Sequence, residues 1–165
     1  MKLSLFFKES IMKPIIIFLG NSIWSDDRIG ILIGEKLRDR LKSKGFDVEI
    51  TEESGFSLMD LMVGRDIIII VDSMRSGKHP LGKVLLMELK DLELHAFLSP
   101  HYAGLPEMLL LMESLNLSKP KSVYVIGIEI GDPYTISEEL SEGLRLKVEH
   151  ISEEVYNIIM RITKT

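Results

Sequence analysis

Three separate segments of the 165-residue chain carry side chains able to do chemistry together. Asp26 and Asp27 follow a short apolar run and the turn signal Gly20-Asn21, Asp72 closes a second apolar run, and His101 stands just ahead of a helical pattern. Two carboxylates and an imidazole make an O/O/N set suited to zinc, nickel or iron, with coordination positions left for water or for groups of a substrate. Each residue also has a plainer role open to it. One of the adjacent aspartates can cap the following helix, where a carboxylate complements the positive end of the dipole, while the other acts as ligand. Asp72 can be a polar strand terminus, and His101 an ordinary loop histidine.

Other chemistries are poorly served. With no cysteine, the chain has no disulfide, no thiolate metal site and no Cys nucleophile. Gly20-Asn21 does not continue as G-x-G-x-x-G, and no complete Walker-A, G-x-S-x-G or H-E-x-x-H motif occurs. Ser73 beside Asp72 and Ser99 beside His101 leave a serine nucleophile formally open. His79, His95 and His150 lack companions at ligand spacing, and His150 sits in a charged helical stretch that reads as a solvated face. Trp24, in the same loop as the acidic pair, reads as a staple of that loop onto the sheet edge, with a partner contact as the alternative. The balance of 20 Lys+Arg against 25 Asp+Glu, net −5, opposes a phosphate backbone, so nucleic acid is not expected as a partner. The longest apolar runs are about five residues, far short of the ~20 that cross a bilayer, so no membrane partner is expected, and the lack of cysteine fits a reducing, cytoplasmic compartment.

The elements that must position these residues follow from periodicity. Residues 15–19 form a continuous β-branched run, which predicts a strand covered on both faces. Ile29, Ile33, Leu37 and Leu41 mark one stripe of a helix that stops near Gly45. Phe46, Val48 and Ile50 alternate as a strand, a short helix spans about 57–63, and 66–72 is the strongest strand and the expected centre of the sheet. Further extended structure is expected over 83–89 and 92–98. A helix then begins near Pro106 with Met108 to Met112 as core, a strand covers 122–130, and a final helix covers 141–161. Such alternation predicts an α/β domain with a mostly parallel sheet, whose ligand site forms beyond the carboxyl ends of the strands. Residues 1–13 read as a loose leader with Met12 as an alternative start, and 14–165 as a single domain.

Read together, the motifs carry a resemblance. Gly20-Asn21-Ser22-Ile23-Trp24-Ser25-Asp26-Asp27-Arg28-Ile29-Gly30 is similar to G-N-x-L-x-x-D-[DE]-G-x-G, the opening signature of the hydrogenase maturation endopeptidases. Ser54-Gly55 with Leu58 and Leu61 continues it. Asp72 to Gly82 resembles D-A-x-x-x-G-x-x-P-G, Ser99 to Leu109 resembles S-x-H-x-x-x-L-x-E-x-L, and Gly127-Ile128-Glu129-Ile130 resembles G-I-x-P. Leu140-Ser141 before the last helix also fits. The departures are Arg28 in place of Gly, an inserted residue between Pro80 and Gly82, and Ile130 in place of Pro; the first puts the local turn geometry in question.

The resemblance implies a three-layer αβα sandwich, phosphorylase/hydrolase-like, and a metal-dependent endopeptidase that removes the C-terminal extension of a nickel-iron hydrogenase large-subunit precursor after nickel insertion. It places metal binding on Asp27, Asp72 and His101, and it implies nickel carried by the substrate, with zinc or cadmium able to substitute in vitro. The precursor is the implied partner of a monomeric enzyme, and the group that activates water is left unassigned. Two other readings remain at this point: a non-catalytic module that inspects the metal site, and a nucleotide-binding domain on the same scaffold.

Overall fold

The computed structural model describes residues 14–88 and 104–164. Five strands form one sheet in the order β2-β1-β3-β5-β4, from β1 (Ile15–Leu19), β2 (Asp47–Thr51), β3 (Ile67–Met74), β4 (Val84–Glu88) and β5 (Ser122–Glu129). Neighbouring pairs are parallel except β4 against β5, which is antiparallel and closes one edge. The helices are α1 (Ile29–Lys42), α2 (Met59–Met62), α3 (Leu105–Ser114), α4 (Glu142–Arg145) and α5 (Val148–Ile162).

The strand pattern explains the three layers. Side chains alternate across a strand, so a run that is apolar throughout must be covered on both faces. Ile16, Phe18, Ile69, Val71, Ile126 and Ile128 face one core with Ile29, Ile33, Leu37 and Leu41 of α1 and Ile151, Val155 and Ile159 of α5. Ile15, Ile17, Leu19, Ile68, Ile70 and Val125 face the other, with Leu58, Met62, Leu105, Met108 and Met112. The expected stripe of α1 is buried at all four positions, and β3 is central. Met108 and Met112 are core as expected, whereas Leu110 and Leu111 between them are exposed.

Three boundaries differ from the sequence reading. The helix expected over 57–63 is a 3-10 turn, Gly55–Leu58, leading into the short α2. The final helix is broken: the Lys147 N–H donates to Leu144 O, three residues back, and this tightening separates α4 from α5. Asp72 does not close its strand, because pairing with β5 continues through Ser73 to Met74 opposite Glu129. The leader 1–13 and the extended segment expected over 92–98 lie outside the described residues. Among the described residues, no helix is long and apolar enough to cross a membrane.

Candidate active site

From β1 the chain crosses to β2 on one side, while β3 lies on the other. The carboxyl ends of β1 and β3 therefore flank a topological switch point, where connections diverge and leave a crevice. The acidic loop leaves β1 there. After the Gly20-Asn21 turn, Ser25–Arg28 forms a single 3-10 turn that runs directly into α1. Helix and strand meet so closely that a Cβ built on Gly30 would lie 1.8 Å from Leu19 O. Only glycine permits this approach, which seats the Asp26-Asp27 turn against the end of the sheet.

Asp27 and Asp72 are brought together through one residue between them. Asp72 is fully buried near the end of β3, and its Oδ1 accepts from the Ser73 N–H at 2.7 Å. The Ser73 hydroxyl points the other way along the pleat and donates to Asp27 Oδ1. A single serine thus ties the carboxylate of the β1 loop to the one at the end of β3. Opposite Asp72 in the β5 register stands Gly127, where a Cβ would meet Met74 Sδ at 2.4 Å and Met87 Cε at 2.9 Å. A side chain at that position would require the Met74 and Met87 side chains to move aside.

The capping role open to the aspartate pair is not taken up. Neither the 3-10 turn nor α1 has a side-chain cap hydrogen bond. Asp26 is fully buried and serves the opposite end of the chain instead. Its Oδ2 accepts from Gly131 N at 3.1 Å, Asp132 N at 2.8 Å and Ser141 Oγ at 3.1 Å, and its Oδ1 accepts from Ser141 N at 2.8 Å. Backbone bonds from Asp26 N to Asp132 O, Ser25 N to Thr135 O and Ser137 N to Ile23 O extend the same seam. Trp24 belongs to it through an isolated antiparallel bridge to Ile136, so its loop is stapled to the segment after β5 rather than to a sheet edge. In that segment Asp132 accepts from Tyr134 N and Thr135 N, each at 3.0 Å. The Thr135 side chain and these two amides hold its carboxyl below the usual aspartate range.

A further buried carboxylate carries no chemical signal in the sequence. Glu129 is 2% exposed at the end of β5 and accepts from Ser76 N at 2.9 Å, Gly77 N at 2.8 Å and Ser76 Oγ at 2.6 Å. The only sequence hint of it is its place in the stretch resembling G-I-x-P.

All three departures from the motif pattern are accommodated. Arg28 takes an ordinary right-handed conformation, φ −70° and ψ −13°, open to any residue, and its Nη1 donates to Glu138 O at 2.5 Å. Ile130 uses the N–H that proline would lack, donating to Met74 O at 2.8 Å. The inserted Leu81 packs against the larger core, and its carbonyl accepts from Lys147 Nζ at 2.7 Å.

His101 lies outside the described residues, as do Ser99 and His95. Among the described residues no group of three or more His, Asp or Glu is placed to hold a metal ion. His79 is exposed, and His150 reaches only Glu154, with Nε2 3.8 Å from Oε2. Surface hollows bordered by Lys119 to Tyr124, by Lys83 to Leu86 with α5, and by Ile15 with Asp47 and Arg65 do not include Asp27 or Asp72.

Known proteins resemble the chain along most of its length. A family model described as hydrogenase maturation protease matches residues 31–162, a span that contains Asp72 and His101 and begins just after Asp27. Protein FrxA of Pyrococcus furiosus is 34% identical over 138 residues, covering 81% of this chain and 96% of that protein. Hydrogenase 2 maturation protease of Escherichia coli is 30% identical over 123 residues, covering 71% and 73%. Among solved structures, the hydrogenase maturating endopeptidase HybD from E. coli has a TM-score of 0.71 at 23% identity, covering 92% of this chain and 94% of that one. The [NiFe] hydrogenase maturation protease HybD from Thermococcus kodakarensis has a TM-score of 0.66 at 26% identity, covering 89% and 99%.

Proposed function

The chain belongs to the hydrogenase maturation protease family, and from this premise we propose that it removes the C-terminal extension of a nickel-iron hydrogenase large-subunit precursor once nickel is in place. Asp27, Asp72 and His101 form the donor set turned toward the nickel that the precursor brings, with His101 assigned by motif resemblance alone. Nickel is part of the substrate in this reading and works as a recognition signal: its engagement aligns the neighbouring peptide bond. The chain has no cysteine and no G-x-S-x-G elbow, so in this reading activated water is the nucleophile: its oxygen adds to the carbonyl carbon, the C–N bond breaks and the leaving amine takes up a proton.

The observation that supports this reading best is the Asp27–Ser73–Asp72 link at the switch point. Fixing both carboxylates before substrate arrives reduces the reorganisation needed to meet a developing charge or a metal. The test is mass spectrometry of a nickel-loaded large-subunit precursor incubated with the protein. A product shortened at its C-terminus, absent for Asp72→Asn at unchanged circular dichroism, is expected. A stable complex without mass loss supports the metal-inspecting module instead, and full cleavage by D72N removes Asp72 from the assignment.

A further inference from the structure

Of the two buried carboxylates at this end of the sheet that the proposed reaction does not use, Asp26 joins two segments of the scaffold, whereas Glu129 acts on the loop that leaves β3 after Met74, two residues beyond Asp72. Resting on the processing reading above, we propose that Glu129 is a positioning residue: it holds this loop as a preformed wall against which the precursor chain binds.

Asp72 does not need Glu129 to stay in place. It is flanked by paired residues, with Val71 opposite Phe18 of β1, Gly127 opposite Asp72 itself and Glu129 opposite Met74. Beyond Met74 the strand ends and the loop bends away. Arg75 and residues 77–80 are exposed there, and Gly77 takes a left-handed conformation at φ +68°. A loop of this composition has little apolar contact to order it.

Glu129 supplies that order. Its two oxygens collect the Ser76 N–H, the Ser76 hydroxyl and the Gly77 N–H, and Ser76 Oγ in turn accepts from Lys78 N at 3.1 Å. The Arg75 guanidinium lies 5.2 Å from the Tyr134 ring centroid, which joins the loop to the segment after β5. Burying a carboxylate is costly, and a hydrocarbon side chain at this position would stabilise the fold more cheaply. What the carboxylate adds is the fixed course of an exposed loop at the rim of the site. An ordered wall spares an incoming chain the cost of ordering it, which shows in binding rather than in the bond-breaking step.

The test compares Glu129→Ala and Glu129→Gln with the wild-type chain on the nickel-loaded precursor, following truncation by mass spectrometry over a range of precursor concentrations. E129A is expected to raise KM about tenfold with kcat within about twofold. E129Q keeps an amide oxygen for the two N–H groups and an NH2 that can donate to Ser76 Oγ, so it is expected to retain the wild-type KM within about twofold. Hydrogen exchange should quicken at the Ser76 and Gly77 amides of E129A while strand amides around Asp72 stay protected. Should E129A fail to fold, Ser76→Ala removes only the hydroxyl contact and is expected to raise KM about threefold. Loss of kcat at unchanged KM, or failure of folded E129Q to rescue E129A, overturns the assignment. A wild-type chain that yields no truncated product defeats the processing reading itself, before any variant is compared.

Discussion

The hydroxyl of Ser73 donates to the carboxylate of Asp27 across 46 positions of sequence. The same serine's amide donates to Asp72, so one residue serves two carboxylates that enter from different strands. Their relative placement is set inside the protein, ahead of any substrate.

Ser73→Ala removes the hydroxyl link while leaving the backbone donor to Asp72. We expect a stability loss of about 1 kcal/mol in urea denaturation, typical of one hydrogen bond. The rate of precursor truncation is expected to fall about tenfold, because Asp27 loses its tie to β3. Wild-type turnover by this variant would mean that the Asp27–Asp72 geometry is held by other contacts.

Asp26→Ala strips the acceptor from three part-buried N–H groups and one hydroxyl at Gly131, Asp132 and Ser141. Because water can reach part of these donors, chemical denaturation should show a loss of about 2 kcal/mol for the set. Asp26→Asn should lie in between, since one oxygen survives and the NH2 faces donors. A loss below about 1 kcal/mol for the alanine variant would contradict the role of Asp26 as the anchor of this segment.

Gly30→Ala places a methyl group inside the van der Waals radius of Leu19 O. Since backbone and not a flexible side chain blocks the position, α1 must move off β1, at a cost of about 3 kcal/mol or more in thermal or denaturant unfolding. Truncation activity should fall with it, because the Asp27 turn is continuous with α1.

The lowered Asp132 carboxyl gives a pH prediction with a definite sign. A carboxylate whose folded value is depressed contributes to the folded state above its ordinary value, and that contribution is lost as pH falls through the folded value. Carboxyl carbon shifts from an NMR titration should therefore place Asp132 below an unfolded reference peptide. The amide signals of Tyr134 and Thr135 should move with the same midpoint, and Asp132→Asn should abolish both responses.

Strands were legible because their chemistry is local. The isoleucine-rich runs at 15–19 and 67–71 declare two buried faces wherever they lie in the sheet, and the α1 stripe declares its buried side. Loop convergence at strand ends pointed to the Asp26-Asp27 pair, Asp72 and His101 together, and only the motif resemblance chose Asp27 from the pair. The work of Asp26 and Glu129 was not legible, because their partners are remote: Asp26 meets donors 105, 106 and 115 positions downstream, and Glu129 meets Ser76 and Gly77, 53 and 52 positions upstream. Nothing at either end distinguishes these carboxylates from solvated ones. Capping was a sound local expectation for Asp26, and a non-local network took the carboxylate instead.

The seam between the Asp26 turn and residues 131–141, with the bonds from Glu129 to the β3 loop, bears on how the molecule matures during its own synthesis. Much of what steadies the acidic rim therefore comes from residues 129–141, well downstream of the aspartates. A polypeptide still emerging from the ribosome, with β5 unmade, has the aspartates and Ser73 but lacks both the sheet partner of β3 and the seam that anchors Asp26. The rim is thus completed only after β5 and residues 131–141 have been made.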